Sequence, residues 1–365
     1  MRKIVVHLPQ ASYPIWIGAG VLERLPSLLT QVGLSGKVLV VTDRRVAVLH
    51  LSRLVRVLKK DKVPYKVFYL EKGERAKRQE ELFRIYRFLL KNRYERQDPV
   101  IAFGGGAVGD AAGFAAATYL RGVQLIQAGT TLLAQVDSSI GGKTGINLPE
   151  GKNLVGSFYP PRLVVSDTSL LRTLPRQELV SSLAEVIKYG VIRDPGLFRY
   201  LENRMDSLLV GDEKSLEEVV FRSARIKAEV VERDEKETRG ERMILNYGHT
   251  WGHAFEAALN FRGIRHGEAV ALGMDSAARL ARRIGIFRAE DEMRQNRLIA
   301  RAGLPTRVKG ARFKPDRVIK HMMLDKKKSG GRLRFVLPEA IGRVKVVNHI
   351  SLADIRRVLS ELGTK

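Results

Sequence analysis

Strand-like and helix-like patterns alternate through the first 170 residues, and this alternation limits the fold more than any other feature of the chain. Apolar patterns of strand length cover residues 3–8, 13–18, 37–42, 65–70, 99–103, 124–128 and 163–167. Helical patterns lie between them at 46–60, at 75–94 and after Gly109. Nearly continuous apolar strands require cover on both sheet faces, as in parallel sheets flanked by helices. The sequence therefore predicts an α/β fold with a doubly wound, mostly parallel sheet.

The alternation ends near Asp167, and long helical patterns follow at 177–191, 215–236, 247–259 and 267–284, with a short strand-like pair at 332–337 and 343–347. A chain of 365 residues fits two cores better than one. We predict an α/β domain at 1–170 and a mainly α-helical domain at 171–365. A cleft between them is the default position for an active site.

Three of the seven histidines, His249, His253 and His266, lie within eighteen residues of one another. A helix over the first two places both rings on one face, because they are four residues apart. Such pairs bind metal ions in some proteins and are core residues or helix caps in many others. A catalytic zinc site also takes carboxylate ligands. Glu185, three residues before Lys188 in an apolar helical run, is a candidate, although an exposed ion pair would explain both charges.

Composition narrows the ligands and partners. The chain has no cysteine, so a metal must be bound by His, Asp or Glu. The net charge of +25 is spread over several helices, which favours a solvated basic surface and an anionic small-molecule substrate over specific nucleic-acid binding. The N-terminus reads as a strand and not as a signal peptide, and no apolar run has membrane-spanning length, so we expect a cytoplasmic protein without a membrane partner.

Two glycine-rich segments suggest phosphate binding. Residues 104–109 fit G-x-G-x-x-G directly after a strand and before a helix, where backbone N–H groups approach a pyrophosphate. The ribose would then be held from another loop, with Asp43, Glu74 and Lys77 as candidates that are equally suited to turns or helix starts. Residues 135–145 imitate a P-loop but lack its first glycine, which argues against ATPase chemistry. We interpret this segment as a flexible polar loop for a phosphorylated polyol, with Asp137, Lys143, Lys152 and Asn153.

Together these segments resemble the 3-dehydroquinate synthase family. The matching motifs occur in the family's order at residues 103–106, 117–122, 129–145, 151–153, 183–190, 245–256, 266–270 and 325–327. The resemblance implies a two-domain cytoplasmic enzyme, usually a homodimer, that uses NAD and one divalent metal, zinc or cobalt. It would convert 3-deoxy-D-arabino-heptulosonate 7-phosphate to 3-dehydroquinate and phosphate, in the second step of the shikimate pathway.

The resemblance also implies roles for individual residues. Glu185, His249 and His266 would bind the metal, and His253 would transfer a proton near the hydroxyl to be oxidised. Residues around the substrate would be Arg121 (across a dimer), Asp137, Lys143, Lys152, Asn153, Lys188, Lys227, Arg242, Asn246 and Lys326. Residues lining the dinucleotide would be Asp43, Glu74, Lys77, Gly105, Gly106, Asp110, Thr130, Thr131, Lys143, Lys152, Thr173 and Leu174.

Two other enzyme functions remain open from the sequence. One is a different sugar-phosphate cyclase of the same superfamily, and the other is a metal-dependent polyol dehydrogenase, which would release NADH instead of regenerating NAD⁺. A basic nucleic-acid-binding protein is the alternative from another class, and its binding would have to survive physiological salt.

Overall fold

The computed structural model describes residues 1–9, 12–260, 263–308, 314–328 and 333–363, and for 325–328 it describes the backbone alone. The chain divides into two compact units. The first comprises Met1–Pro175 and Gly211–Lys236, and the second comprises Arg176–Val210 and Glu237–Lys365.

The strands are β1 (Arg2–Val6), β2 (Tyr13–Ile17), β3 (Val38–Asp43), β4 (Tyr65–Leu70), β5 (Val100–Gly104), β6 (Leu125–Gly129), β7 (Lys143–Leu148), β8 (Gly151–Phe158), β9 (Leu163–Ser166), β10 (Phe335–Ala340) and β11 (Arg343–Val347). The α-helices are α1 (Leu25–Gln31), α2 (Arg44–Val46), α3 (Ser52–Lys60), α4 (Gln79–Lys91), α5 (Gly106–Thr118), α6 (Arg176–Ile192), α7 (Pro195–Leu209), α8 (Glu213–Arg233), α9 (His249–Ala258), α10 (His266–Arg283), α11 (Ala289–Arg301), α12 (Pro315–Lys328) and α13 (Leu352–Gly363).

The described part of the first unit is built on a seven-stranded sheet of order β1-β2-β9-β6-β5-β3-β4. Only the β1–β2 pair in this sheet is antiparallel. Alternate residues of β3 enter different cores: Leu39 and Val41 pack on one face, and Val38 and Val40 pack on the other. The predicted doubly wound sheet with two covered faces is confirmed.

The segment Gly211–Lys236 belongs to the first unit, whereas the sequence predicted a single boundary at residue 170. Its helix α8 packs against β1 and against the helical turn Ala134–Ser138. An ion pair of 2.6 Å between Arg2 and Glu218 joins α8 to the first strand. The chain thus leaves the first unit at α6 and returns to it with α8, which no change in local periodicity marks.

The segment predicted as a flexible loop is instead partly regular. β7 and β8 form an antiparallel hairpin outside the main sheet, with Lys143 opposite Phe158 and Gly145 opposite Gly156. A Cβ at Gly156 would lie 2.1 Å from the carbonyl oxygen of Thr144, so this pairing excludes a side chain there. The loop prediction was wrong because glycine disfavours strands locally, while here it permits close strand contact.

The second unit is mainly helical, as the sequence predicts. Helix α10 contacts α6, α9, α11, α13 and β10, and is therefore the central helix of the unit. The antiparallel pair β10–β11 was also predicted. None of the helices among the described residues combines the length and apolar character that a bilayer crossing requires.

Candidate functional site

Helix α6 places a carboxylate and an ammonium group in the interior of the second unit. Glu185 is 1% exposed and Lys188 is 2% exposed, and the two side chains form an ion pair. Among the described residues, neither carboxylate oxygen of Glu185 accepts a hydrogen bond of ordinary geometry. A buried carboxylate without such bonds is destabilising unless a cation compensates it. The pair with Lys188 is thus buried, unlike the exposed pair that was one alternative from the sequence.

A close contact between α10 and α6, made at a glycine, brings His266 to the Glu185 carboxylate. Gly267 is the second residue of α10, and a Cβ there would lie 1.8 Å from the carbonyl oxygen of Ser181 on α6. The backbone N–H of Gly267 also donates to Ser181 Oγ at 3.1 Å. Because Ser181 and Glu185 are one helical turn apart, α10 starts beside the carboxylate, and His266 Nε2 lies 3.9 Å from Glu185 Oε1.

A second close crossing brings in His249 and His253. A Cβ at Gly273 on α10 would lie 1.9 Å from the carbonyl oxygen of Gly248, directly before α9. As predicted, α9 carries both histidines on one face, with ring centroids 5.5 Å apart. The His266 ring lies 5.4 Å from that of His249 and 6.2 Å from that of His253. The three imidazoles of the motif therefore form one cluster.

The protonation state of His249 follows from its surroundings. Burial lowers the pKa of His249 well below its ordinary value, and the positive charge of Lys188 lowers it further, so the ring is neutral. Its Nδ1 lies 3.2 Å from the carbonyl oxygen of Tyr247. A carbonyl oxygen can only accept, so Nδ1 carries the proton and donates it. Nε2 then presents its lone pair to Glu185 Oε1, 3.4 Å away.

Two facing lone pairs repel each other unless a cation lies between them, and this arrangement is the test of metal fit. One donor atom from each of Glu185, His249 and His266 lies within 4.8 Å of the others. A tetrahedral zinc with ligand distances of about 2.1 Å has donors about 3.4 Å apart. The observed spacings of 3.4 and 3.9 Å are close to this value. A carboxylate and two imidazoles are also a known catalytic zinc ligand set, so the residues fit a divalent ion.

In the first unit, the predicted glycine loop connects β5 to α5. Gly105 is the N-cap residue of α5, and no side chain among the described residues caps this helix. Thr130 donates its backbone N–H to the Gly104 carbonyl at 2.9 Å, and Thr131 Oγ1 accepts from the Ala134 N–H at 3.1 Å. A Cβ at Gly106 would lie 3.0 Å from Ser138 Oγ. The uncapped N–H groups at this narrow helix start suit the diphosphate of a dinucleotide.

Next to this loop, Lys77 forms a buried polar network. Lys77 is 3% exposed, and its ammonium group donates to Asp110 Oδ2 at 2.5 Å and also to Asn153 Oδ1. Burial raises the pKa of Asp110, and Lys77 partly offsets this rise. Asn153 has a φ of +58° and donates its N–H to Asn147 Oδ1 at 3.0 Å. The network fixes three of the predicted site residues from three different elements.

Several other predicted dinucleotide residues have structural partners in the first unit. Asp43 Oδ1 accepts from the N–H groups of Arg45 and Val46, so it caps the helix that follows β3. Glu74 accepts from the Asn147 side chain at 2.7 Å. Thr173 Oγ1 lies 2.7 Å from His50 Nε2, and Leu174 follows it at the end of the turn Thr168–Thr173.

Predicted substrate residues lie in both units. In the first, Lys227 on α8 donates to Asp137 Oδ1 at 2.7 Å, while Lys143, Lys152 and Arg121 are exposed. In the second, the short helix Glu241–Asn246 packs against α6 and ends at the exposed Asn246. This helix contains Arg242, which is 2% exposed and has its Nε 3.3 Å from Glu237 Oε1. The side chain of Lys326 lies outside the described residues.

Comparison with known proteins decides the family. The model of the 3-dehydroquinate synthase N-terminal region matches residues 67–181, and that of the C-terminal region matches residues 182–328. A 3-dehydroquinate synthase of Desulforamulus reducens is 47% identical over 361 residues, which cover 99% of this chain and 100% of the relative. The chain belongs to the 3-dehydroquinate synthase family. The resemblance inferred from the motifs is confirmed.

Solved structures of related cyclases agree with this family assignment. A 2-epi-5-epi-valiolone synthase from Streptomyces hygroscopicus, solved with NAD⁺ and Zn²⁺, superposes with a TM-score of 0.89 at 28% identity, over 98% of this chain and 99% of the other. A 2-deoxy-scyllo-inosose synthase, solved with carbaglucose-6-phosphate, NAD⁺ and Co²⁺, has a TM-score of 0.88 at 27% identity, over 99% of both chains.

The sequence interpretation missed one acidic residue of the histidine cluster. Glu256 Oε1 lies 3.4 Å from His266 Nδ1, and Glu256 with His253 and His266 forms a second group able to hold a metal ion. Helical spacing could have revealed it, because Glu256 follows His249 by seven residues and His253 by three. It therefore shares the face of α9 that carries both histidines.

Proposed function

We propose that this chain is a 3-dehydroquinate synthase, which converts 3-deoxy-D-arabino-heptulosonate 7-phosphate to 3-dehydroquinate and phosphate in the shikimate pathway. The observation that carries the proposal is the meeting of Glu185, His249 and His266 at spacings suited to one divalent ion. Identity of 44–47% over nearly the whole chain to relatives of that name supports this substrate over other sugar phosphates.

The proposed cofactors are NAD and one zinc or cobalt ion, as in the two related cyclases. Glu185, His249 and His266 would bind the ion, and Gly105, Gly106 and Thr131 would border the dinucleotide phosphates. When bound, the dinucleotide accepts and returns a hydride, and the ion acidifies the substrate hydroxyl. The substrate would undergo transient oxidation, β-elimination of phosphate, reduction and an intramolecular aldol closure.

The side chains of this protein would bind the substrate and move its protons. His253 is exposed at the edge of the imidazole cluster, where its ring can take the hydroxyl proton during oxidation. Lys152, Asn153, Arg121 and Lys326 would hold the phosphate through charge-assisted hydrogen bonds. Asp137, Lys143, Lys188, Lys227, Arg242 and Asn246 would hold the carboxylate and hydroxyl groups.

The decisive assay measures phosphate release from the heptulosonate phosphate, with and without NAD⁺ and a chelator. We expect release that requires both the dinucleotide and the metal, with no net NADH at the end of turnover. His266→Ala should reduce the metal content and abolish release. Full activity of a metal-free His266→Ala protein would contradict the metal assignment. Stoichiometric NADH would indicate a polyol dehydrogenase instead, and release only from an uncarboxylated sugar phosphate would indicate another cyclase.

We also propose that the enzyme is a homodimer in which Arg121 serves the partner's active site. The β7–β8 hairpin supports this proposal, since Leu154, Val155 and Phe158 expose 37–55% of their surfaces on β8. Exposed apolar side chains on one strand are typical of an interface. Arg121 is exposed at the end of the short helix Tyr119–Arg121, where its φ is +63°.

Mixing two inactive variants tests this arrangement. In a heterodimer of Arg121→Ala and His266→Ala chains, one site has an intact His266 and receives an intact Arg121 from the other chain. After random subunit exchange, about a quarter of all sites should be active. Each variant alone should remain inactive. If Arg121 acts within its own chain, no activity returns on mixing.

A further inference from the structure

The ring of His266 lies between two carboxylates. Its Nε2 faces Glu185 Oε1 at 3.9 Å, and its Nδ1 faces Glu256 Oε1 at 3.4 Å. Glu185 is part of the proposed metal site, whereas Glu256 has no role in the proposed reaction. The Glu256 side chain is 13% exposed, so its charge is poorly solvated and interacts strongly with what lies beside it.

The chemistry of imidazole determines which nitrogen of His266 carries the proton and which one can bind a metal. A neutral ring that offers Nε2 to a metal carries its proton on Nδ1, and an ionised carboxylate can only accept that proton in a hydrogen bond. Glu256 is therefore placed to select the Nδ1–H form of His266 and to hold its ring plane. A carboxylate at this position also makes the ligand nitrogen more basic.

His249 shows the same arrangement with a different partner. Its Nδ1 donates to the carbonyl oxygen of Tyr247, and its Nε2 faces Glu185. The Tyr247 carbonyl is itself held in place, because the phenol of Tyr247 is buried and donates to Gln295 Oε1 at 2.7 Å. Both imidazoles thus direct Nε2 to Glu185 and Nδ1 to an oxygen acceptor.

We propose that Glu256 is a positioning residue that orients His266 for metal binding. This inference rests on the proposed function, since it assigns a role to a neighbour of the proposed ligand. Glu256 would not touch substrate or metal. Its removal should leave His266 present but free to adopt the wrong tautomer or rotamer, which weakens metal binding about 10- to 100-fold.

A different role for Glu256 would be as a ligand of a second ion. Donor atoms of His253, Glu256 and His266 lie within 4.8 Å of one another. Such an ion would need the lone pair of His266 Nδ1, whereas the positioning role needs a proton there. The two roles therefore predict different metal stoichiometries and different proton signals from the same ring.

The test compares Glu256→Ala, Glu256→Gln and a matched control, Glu268→Gln. Glu268 lies two residues after His266, where it accepts from the Arg265 N–H at 2.8 Å to cap α10, and a glutamine keeps that bond. The control removes one negative charge near the site without removing the partner of His266 Nδ1. The isosteric Glu256→Gln variant keeps an acceptor oxygen and protects the test against misfolding.

The measurements use the purified full-length chain: zinc stoichiometry, zinc affinity by chelator competition, the cobalt absorption spectrum, and the imidazole N–H resonances in NMR. We expect one zinc per wild-type chain and an Nδ1–H signal from His266 that Glu256→Ala loses. Zinc affinity should fall about 10- to 100-fold in Glu256→Ala, less in Glu256→Gln, and less than about twofold in Glu268→Gln. The cobalt spectrum should change only in the Glu256 variants.

Two results would overturn the inference. One is a Glu256→Ala protein whose zinc affinity and cobalt spectrum match those of Glu268→Gln. The other is a wild-type chain that takes up two zinc ions, one of which Glu256→Ala loses. Failure of the wild-type chain to bind any zinc would instead count against the proposed function itself.

Discussion

Replacing Gly267 by alanine should separate His266 from Glu185 while leaving every proposed ligand in the chain. The added Cβ would lie 1.8 Å from the Ser181 carbonyl oxygen and 2.7 Å from Ser181 Oγ. The carbonyl belongs to the backbone of α6 and cannot rotate away. To reach even a 3.0 Å separation, α10 must therefore move by at least 1.2 Å at its first turn.

This displacement is large compared with the tolerance of a metal site. His266 Nε2 already lies 3.9 Å from Glu185 Oε1, and a further 1.2 Å along the same line gives about 5.1 Å. Two donors at about 2.1 Å from one ion can be at most about 4.2 Å apart. His266 would then no longer share an ion with Glu185. Zinc affinity should fall more than the 10- to 100-fold that loss of an orienting residue produces.

The overpacked crossing should also lower the free energy of unfolding by about 1–3 kcal/mol. Gly285→Ala supplies a control at the other end of α10. Gly285 has a φ of +77° and no atom within 4 Å of an added Cβ, so alanine is strained there without a collision. That strain lowers stability by about 1–2 kcal/mol, a similar amount.

Urea unfolding in chelator gives the stability of each variant, and chelator competition gives its zinc affinity. We expect the two variants to lose similar stability, with a large loss of zinc affinity in Gly267→Ala alone. Equal zinc affinities in the two variants would refute the argument that the glycine crossing builds the site. So would a Gly267→Ala protein that binds zinc as tightly as the wild type.

Three further outcomes follow from other parts of the chain. Lys77→Met should lower stability by about 3 kcal/mol in urea at pH 7, because Asp110 loses its buried cation; an unchanged midpoint would contradict this. Burial raises the pKa of Asp275 to about 6, so its native carboxyl retains a proton that the unfolded chain releases near pH 4. The contribution of Asp275 to the free energy of unfolding is fully present below pH 4. As the pH rises through 6, this contribution is lost, and the free energy of unfolding falls by about 3 kcal/mol. The stability difference between wild type and Asp275→Asn should show this slope, and a flat difference would refute it. Finally, KM for the sugar phosphate should rise with NaCl more than kcat changes, since cationic side chains capture the anion; a salt-independent KM would argue against this.

The sequence predicted the main sheet well because the information is local. The first four residues of β3, Val38 to Val41, are all apolar, and a strand buried on both faces needs that pattern; Leu39 and Val40 do enter opposite cores. The return of α8 to the first unit was not predictable in this way. Its apolar face has the same helical period whichever unit it packs against, and only the partner surface decides between them.

The candidate site was predictable in its residue types and less so in its contacts. Spacing alone placed His249 and His253 on one face, and Glu185 was notable as a charge in an apolar helix. Spacing could not distinguish a metal ligand from a neighbouring proton-transfer residue, because that difference depends on which ring faces the carboxylate. The family resemblance supplied the grouping, and the structure supplies a physical reason: Glu185 Oε1 lies within 4 Å of a nitrogen of both His249 and His266.

The closest helix contacts at this site depend on glycines, because a residue without a side chain lets two backbones approach. Glycine in a helix interior is about 1 kcal/mol less favourable than alanine, so by helix propensity alone Gly273 destabilises α10. In the folded protein, a Cβ at that position would lie 1.9 Å from the Gly248 carbonyl oxygen, and α9 could not approach. The lower helix propensity of glycine at this position is therefore accepted in exchange for the close contact of α9 and α10, which brings His249 to His266. Helix propensity in α10 alone favours alanine at Gly267 and Gly273, and those two alanines would remove the two crossings on which the imidazole cluster depends.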